Sequence, residues 1–203
     1  EALYRVAYEL AEDAAAENVC HLEVRYSPIL HRKRKLSFED IVDTVIAGLH
    51  DAGSKFGMTT GVIICGIRSM DPKFSLALAE LAVAYKGKGV LAFDLAGQEK
   101  DYPAKAHRAA FELILKNNIN STVHAGEAFG PASISQALHY CGAHRIGHGT
   151  LLLQDRDLMQ YVNDHRIPLE MCLTSNLQTG AVQNLKDHPL GMYFRQGLRV
   201  TVN

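Results

Sequence analysis

The sequence has 203 residues, of which 47% are hydrophobic and 21% are charged, and its formal net charge at pH 7 is −1. These values are typical of an ordinary globular chain, so residues 1–203 are predicted to form one domain. Because 21 Lys and Arg residues balance 22 Asp and Glu residues, the composition argues against a protein that binds nucleic acid or a membrane surface.

Helical and strand-like patterns alternate along the first part of the chain. Apolar residues at helical spacing predict a helix over 3–14, with Val6, Ala7, Leu10 and Ala11 on its buried face and an end near Asn18. A strand is predicted over 19–26, since the proline that follows cannot continue a central ladder. The basic cluster at 32–35 is interpreted as a solvated loop.

The next elements carry recognisable start and stop signals. Ser37 and Asp40 have the spacing of a capping box, and the helix that they begin is predicted to end at Gly57. The continuous apolar run over 60–67 predicts a strand that is buried on both faces. Asp71 and the proline after it predict the start of another helix, which we expect to end near 88–89.

The same alternation continues to the end of the sequence. Helices are predicted to begin at Pro103, Pro131 and Asp155 and after Pro189. Strands are predicted over 90–94, 121–124, 144–146, 167–172 and 198–203.

Seven strands separated by helices predict an α/β fold built from parallel crossovers. A doubly wound sheet and a (β/α)8 TIM-type barrel share this pattern, but no Gly-x-Gly-x-x-Gly follows the first strand. We therefore favour the barrel. A complete barrel has about 250 residues, so one strand is expected to be missing from the sequence.

The cysteines are far apart, and no pair has the Cys-x-x-Cys spacing of a zinc knot or a redox pair; they are Cys20, Cys65, Cys141 and Cys172. This favours reduced thiols and a cytoplasmic location. The sequence has no apolar run of transmembrane length and no signal-peptide pattern.

Reactive side chains flanked by glycines follow two neighbouring strands. His124 is followed by Gly126 and Glu127, and His148 stands between two glycines. A single histidine at a strand end usually satisfies a nearby backbone group. Two imidazoles and a carboxylate among glycines favour a functional site at the carboxyl ends of the strands, where barrel enzymes carry their chemistry.

The motifs Thr122-Val-His-Ala-Gly-Glu127, Arg145-Ile-Gly-His-Gly149, Asp94-Leu-Ala-Gly97 and Thr174-Ser-Asn176 occur in one order along the chain. Together they resemble the adenosine deaminase family of metal-dependent deaminases, with bacterial-type features. Glu23-Val-Arg-Tyr-Ser-Pro28 and His188-Pro189-Leu190 are also similar to that family. The resemblance covers the whole sequence, so residues 1–203 are interpreted as part of a deaminase barrel domain.

The resemblance implies a zinc-dependent hydrolase of purine salvage that converts adenosine and 2'-deoxyadenosine to inosines and ammonia. By position, it implies His124 as a metal ligand, Glu127 as the group that protonates purine N1, and His148 as the residue beside the attacking water. Gly97 corresponds to the backbone donor to purine N3. Asp94, Ser175 and Asn176 lie in family motifs and are interpreted as support for these groups.

The sequence departs from the family pattern at the metal. Family members carry a His-x-His pair on their first strand, whereas no two of the ten histidines here have that spacing. They also carry an Asp-Asp pair after a strand similar to the last one here. The resemblance therefore implies that residues 1–203 are strands two to eight of the barrel of a longer enzyme. His124 is then one of about three protein ligands that a catalytic zinc needs.

Three alternatives remain at this point. A cytidine-type deaminase is disfavoured because its His-x-Glu and Pro-Cys-x-x-Cys motifs are absent. An adenine or N6-methyl-AMP deaminase of the same superfamily is closer. A catalytically incomplete, metal-free module that binds purines is the third.

Overall fold

The computed structural model describes residues 1–32 and 36–203. Its sheet contains seven parallel strands, each hydrogen-bonded to the next along the chain. They are β1 (His21–Tyr26), β2 (Thr59–Ile67), β3 (Val90–Ala96), β4 (Asn120–Ala125), β5 (Arg145–His148), β6 (Leu169–Met171) and β7 (Val200–Val202).

Eight α-helices lie among the described residues: α1 (Ala2–Ala16), α2 (Phe38–Phe56), α3 (Pro72–Ala84), α4 (Arg108–Lys116), α5 (Pro131–His139), α6 (Arg156–Asp164), α7 (Leu173–Gln178) and α8 (Leu190–Arg195). A doubly wound sheet would reverse its strand order in the middle, whereas this sheet runs in chain order throughout. The predicted barrel class is thereby confirmed, as a curled partial barrel of seven strands.

Local capping chemistry sets several helix boundaries as predicted. The Ser37 hydroxyl accepts a hydrogen bond from the Asp40 N–H while the Asp40 carboxylate accepts one from the Ser37 N–H, which completes the capping box of α2. Asp71 and Asp155 cap α3 and α6 by accepting backbone N–H groups. Gly57 ends α2 with φ +71°, a conformation that glycine adopts without steric cost.

The predicted buried face of α1 is wrong in part. Ala7 and Ala11 are buried, but Val6 is 59% and Leu10 44% exposed. The cause is the close approach of α1 to α2: a Cβ on Gly48 would lie 2.5 Å from the Tyr4 carbonyl oxygen. The Ala7 Cβ would lie 3.1 Å from the same Gly48 Cβ, so α1 turns its small residues towards α2 at this point.

Other boundaries also differ from the sequence prediction. Helix α3 ends at Ala84, before 88–89, because two glycines with positive φ, Gly87 and Gly89, are needed to turn the chain back into β3. The element after Pro103 begins as a 3-10 turn, Ala104–His107, and becomes α-helical at Arg108. Strand β6 spans three residues, since α7 begins directly after Cys172.

The core lies between the helices and the outward-facing apolar side chains of the strands, among them Val62, Ile64, Phe93, Val123 and Ile146. All four cysteines are free thiols, as predicted, and Cys65 and Cys141 are buried. Of the helices described, none is both long and apolar enough to cross a membrane. The basic cluster at 32–35 falls mostly outside the described residues.

Candidate active site

The two histidines predicted to form a site meet at the carboxyl ends of β4 and β5. Ala125 pairs with His148 in the sheet, and the His124 and His148 rings lie edge to face with centroids 5.1 Å apart. Gly147 makes this packing possible, because a Cβ there would lie 3.3 Å from Cγ of the His124 ring. The glycines of these motifs therefore bring the imidazoles together.

His124 is oriented by the buried carboxylate of Asp94. Nδ1 of His124 lies 3.0 Å from Asp94 Oδ2, and Asp94 is fully buried. Since an ionised carboxylate only accepts hydrogen bonds, Nδ1 carries the proton and Nε2 has its lone pair free. That nitrogen accepts a hydrogen bond from Arg25 Nη1 at 3.3 Å.

Asp94 stays ionised because its contacts outweigh its burial. Burial by itself would raise the pKa of Asp94, but the interactions with His124 and with the Arg25 guanidinium lower that pKa to about 2. Arg25 Nε lies 3.1 Å from Asp94 Oδ2. The support that the resemblance assigned to Asp94 is thus a contact with the predicted metal ligand.

Asn176 joins Glu127 to His148. Its Nδ2 lies 2.9 Å from Glu127 Oε1 and 3.0 Å from His148 Nδ1, so it donates to both. Its Oδ1 accepts hydrogen bonds from Thr150 Oγ1 and His188 Nε2, each at 3.1 Å. Asn176 is completely buried, and these four bonds use both of its donors and both of its acceptor sites.

This network determines the tautomer of His148. Because Nδ1 accepts the amide hydrogen of Asn176, the proton of a neutral imidazole is on Nε2, which lies 3.6 Å from Glu127 Oε2. Burial and the nearby His124 lower the pKa of His148, although Glu127 opposes them. His148 is therefore kept neutral, with its N–H directed towards Glu127.

Glu127 is held by its side chain and does not cap the helix that follows it. Oε1 accepts hydrogen bonds from Asn176 Nδ2 and Thr179 Oγ1, each at 2.9 Å. Helix α5 begins at Pro131 with Gly130 as N-cap and has no side-chain cap. The local geometry therefore agrees with a functional position for this carboxyl group.

A second set of charges lies beneath the histidines. Glu170 on β6 is buried and forms ion pairs with Arg25, whose Nη2 lies 2.5 Å from Oε2, and with Arg145, whose Nε lies 3.0 Å from Oε1. Arg145 also bonds Glu23 on β1. Burial would lower the pKa of Arg25, but Asp94 and Glu170 more than compensate and raise it. These pairs connect β1, β3, β5 and β6.

A cleft of about 880 Å³ opens above these groups. Gly97, with φ +96° at the end of β3, lies in its wall, as do His124, Glu127, His148 and Ser175. The four residues predicted to contact the metal, the water or the purine thus line one cleft, which has the size of a small-molecule site, while Asp94 and Asn176 lie buried behind it.

A metal fits the described residues only in part. Within 1–32 and 36–203, no three His, Cys, Asp or Glu side chains are grouped so that they could hold an ion. His124 has the tautomer of a ligand and the carboxylate partner that often orients one. Its Nε2 faces the Arg25 guanidinium, so a cation could bind there only if that group moved away.

Sequence reasoning missed several residues of the site. Glu99, Thr179 and His188 contact the loops that carry the predicted residues, and Arg68 donates to the His124 carbonyl oxygen. His188 appeared only within a motif, without a role. Polar residues in loops are usually solvated, so no local signal distinguishes Glu99 or Thr179 from surface residues.

A partial (β/α) barrel with histidine, carboxyl and amide groups at the carboxyl ends of its strands has the architecture of a barrel-enzyme domain. A family model described as adenosine deaminase matches residues 1–203. The chain belongs to the adenosine deaminase family.

Relatives and solved structures agree with this assignment. The chain is 44% identical over 218 residues to adenosine deaminase from Mycobacterium bovis and 43% identical over 219 residues to that from Mycobacterium ulcerans, with 100% of the chain covered. It spans 60% of the length of both. The crystal structure of an adenine deaminase from Arthrobacter aurescens is similar with a TM-score of 0.89 and 27% identity, over 99% of this chain and 61% of that one.

Proposed function

We propose that the whole protein hydrolyses adenosine and 2'-deoxyadenosine to the corresponding inosines and ammonia in cytoplasmic purine salvage. The observation that carries the proposal is the joint orientation of Glu127 and His148 by the Asn176 amide, at the wall of the cleft. The relatives at 43–44% identity are named adenosine deaminases, which favours adenosine over other purines.

Glu127 is assigned the transfer of a proton to purine N1. One of its oxygens is occupied by Asn176 and Thr179, which leaves Oε2 directed away from them and close to His148 Nε2. A proton delivered to N1 removes the aromaticity of the attacked ring while a C–O bond forms at C6. The hydroxyl proton of the adduct is then transferred to the amino group, the C6–N bond breaks, and ammonia leaves while C6 becomes a carbonyl group.

His148 is assigned the orientation of the attacking oxygen. Its neutral imidazole carries the proton on Nε2, the nitrogen opposite the one that Asn176 holds. The backbone N–H of Gly97 is assigned as the donor to purine N3, since Gly97 lies in the same cleft wall. These contacts orient the purine edge so that C6 lies between the two reacting groups.

His124 is assigned as one zinc ligand, with Asp94 fixing its ring. When bound, zinc lowers the pKa of water towards neutrality and so supplies a nucleophile. Further ligands beyond His124 are required for a catalytic site.

The test is a substrate comparison on the whole, zinc-loaded protein. Adenosine, 2'-deoxyadenosine, adenine and N6-methyl-AMP are supplied separately, and each product is identified by chromatography together with the ammonia released. We expect the highest kcat/KM for the two nucleosides. A higher kcat/KM for adenine or N6-methyl-AMP would replace the proposed substrate, and tight purine binding without any turnover would indicate a binding module.

A further inference from the structure

The Glu99 carboxylate lies inside the turn that carries Glu127. Its Oε1 accepts the Gly126 N–H at 2.5 Å, and its Oε2 accepts the N–H groups of Glu127 at 3.0 Å, Ala128 at 2.5 Å and Phe129 at 3.1 Å. Four consecutive backbone donors that converge on one anion form a nest. Glu99 is 8% exposed, so these bonds are shielded from water.

These bonds fix the backbone on both sides of the Glu127 Cα atom. The Glu127 N–H is one of the four donors, and Gly126 enters the turn with φ +74°. The strand that enters the turn is held too, because the buried Arg68 guanidinium donates to the His124 carbonyl oxygen near the end of β4. A cation therefore binds a carbonyl group just before the turn, and an anion binds the amides within it.

We propose that Glu99 is a positioning residue for Glu127, and that it acts by holding the turn 126–129 in the conformation that directs the Glu127 carboxyl group into the cleft. The inference rests on the proposed function, since the assigned role of Glu127 gives this position its consequence. A purely stabilising role for Glu99 would instead lower the melting temperature and leave the turnover of the folded protein unchanged.

The turn can be observed without any activity measurement. In Glu99→Ala the four amides lose their acceptor, so we expect their proton resonances to move upfield and their hydrogen exchange to accelerate. Formate fits the space that the side chain leaves, and we expect it to reverse both changes in Glu99→Ala. Glu99→Gln is the matched control, because it fills that space and presents an NH2 group to some of the donors; formate should then have no effect.

Kinetics of the whole protein test the positioning itself. We expect Glu99→Ala to lower kcat by about 10²-fold, the size of effect that small misplacements of reacting groups produce, with a much smaller change in KM. Formate should restore part of the kcat. When Glu99→Ala is added to Glu127→Gln, kcat should fall little below that of Glu127→Gln alone, because Glu99 acts through Glu127.

The outcomes separate the two proposals. Unchanged amides in Glu99→Ala, or losses that add fully to those of Glu127→Gln, would overturn the role of Glu99. If Glu99→Ala does not fold, Glu99→Gln is used for the amide and double-variant measurements, with the same criteria. Absence of adenosine turnover in the unmodified protein would overturn the proposed function, while the amide spectra would still decide whether Glu99 sets the turn.

Discussion

The side-chain amide of Asn176 donates a hydrogen bond to the carboxyl group of Glu127 across 2.9 Å, from a position that is completely buried. Its second amide hydrogen goes to His148 Nδ1. One side chain thus orients both groups that are assigned to proton transfer and to the attacking oxygen.

We predict that Asn176→Asp impairs turnover more than folding. Aspartate keeps an oxygen for Thr150 and His188, but it cannot donate to Glu127 or to neutral His148, and its acceptor oxygen faces the acceptor Oε1 of Glu127. We expect kcat in the whole protein to fall by about 10²-fold and the free energy of unfolding to fall by about 1–3 kcal/mol.

Thr150→Val is the matched control for Asn176→Asp. It removes a hydrogen bond to the other side of the same amide and leaves the donors to Glu127 and His148 in place. A stability loss of about 1 kcal/mol with nearly normal kcat is expected. Equal decreases of kcat in the two variants would show that the hydrogen bonds from Asn176 to Glu127 and His148 are not needed for turnover.

Glu127→Gln is predicted to lose turnover while keeping its zinc. The glutamine oxygen can still accept from Asn176 and Thr179, so the geometry is retained, but the amide cannot deliver a proton to N1. Lost general-acid catalysis costs 10²–10⁴-fold in kcat, about 3–5 kcal/mol of barrier. Kinetics, zinc analysis and the melting temperature of the whole protein are compared, and near-normal deamination would remove Glu127 from the mechanism.

Local signals were sufficient for much of the fold. Ser37 and Asp155 cap the predicted helices because their side chains bond N–H groups three residues away, a relationship that is fully contained in the sequence. The order of the strands in the sheet, which is their order along the chain, followed from the short connections between strands and helices. The meeting of His124 and His148 followed from their places at the ends of adjacent parallel strands.

Contacts between distant segments could not be predicted in the same way. Glu99 bonds a turn 27 to 30 residues away, and nothing near it in sequence marks this contact. Helix α7 has six residues, too few for a periodic apolar face. The position of Ala7 against α2 depends on how closely α1 approaches Gly48, which is a property of tertiary packing.

The 203-residue chain by itself is predicted to hold zinc weakly. His124 offers one donor, and the Arg25 guanidinium faces that nitrogen and repels a cation. Tag-free protein is loaded with zinc and dialysed, and the metal content should fall far below one per chain, with no further change in His124→Ala. Retention of one zinc per chain would mean that other side chains provide ligands.

Glu170→Gln is predicted to destabilise the fold strongly. The change removes the carboxylate that both Arg25 and Arg145 contact and leaves two guanidinium groups short of negative charge. Removing one partner of a buried pair costs 3–5 kcal/mol, and we expect about 3 kcal/mol because the arginine side chains remain 25% and 29% exposed.

Glu112→Gln provides the exposed comparison for Glu170→Gln. Glu112 pairs with Arg108 at 2.8 Å on the surface of α4. Exposed pairs of this kind contribute about 0–0.5 kcal/mol. Urea unfolding of the two variants compares the pairs directly. Similar decreases in the free energy of unfolding would show that the Glu170 ion pairs stabilise the fold no more than an exposed pair does.

The last prediction concerns the buried His107 and the dependence of stability on pH. Its Nε2 donates to the Arg68 carbonyl oxygen and its Nδ1 accepts from the Ser75 hydroxyl, so both nitrogens are satisfied in the neutral form. Burial lowers the pKa of His107; the bond to the Arg68 carbonyl opposes this shift in part, and the Arg68 charge adds to it.

The sign of the effect follows from the lowered pKa. Below the unfolded pKa of about 6.5, His107 binds a proton in the unfolded chain but not in the folded chain. The contribution of neutral His107 to the free energy of unfolding is present above that pH and is lost as the pH falls. The free energy of unfolding of the unmodified protein should therefore decrease from neutral pH towards pH 5. The slope due to one such group is at most about 1.4 kcal/mol per pH unit.

His107→Gln tests this contribution, because glutamine does not titrate. Urea unfolding at several pH values should show a shallower decrease than in the unmodified protein. The slope does not vanish, since burial also lowers the pKa of His148 and His188. If His107→Gln and the unmodified protein gave the same slope, His107 would have to have the same pKa in the folded and unfolded states.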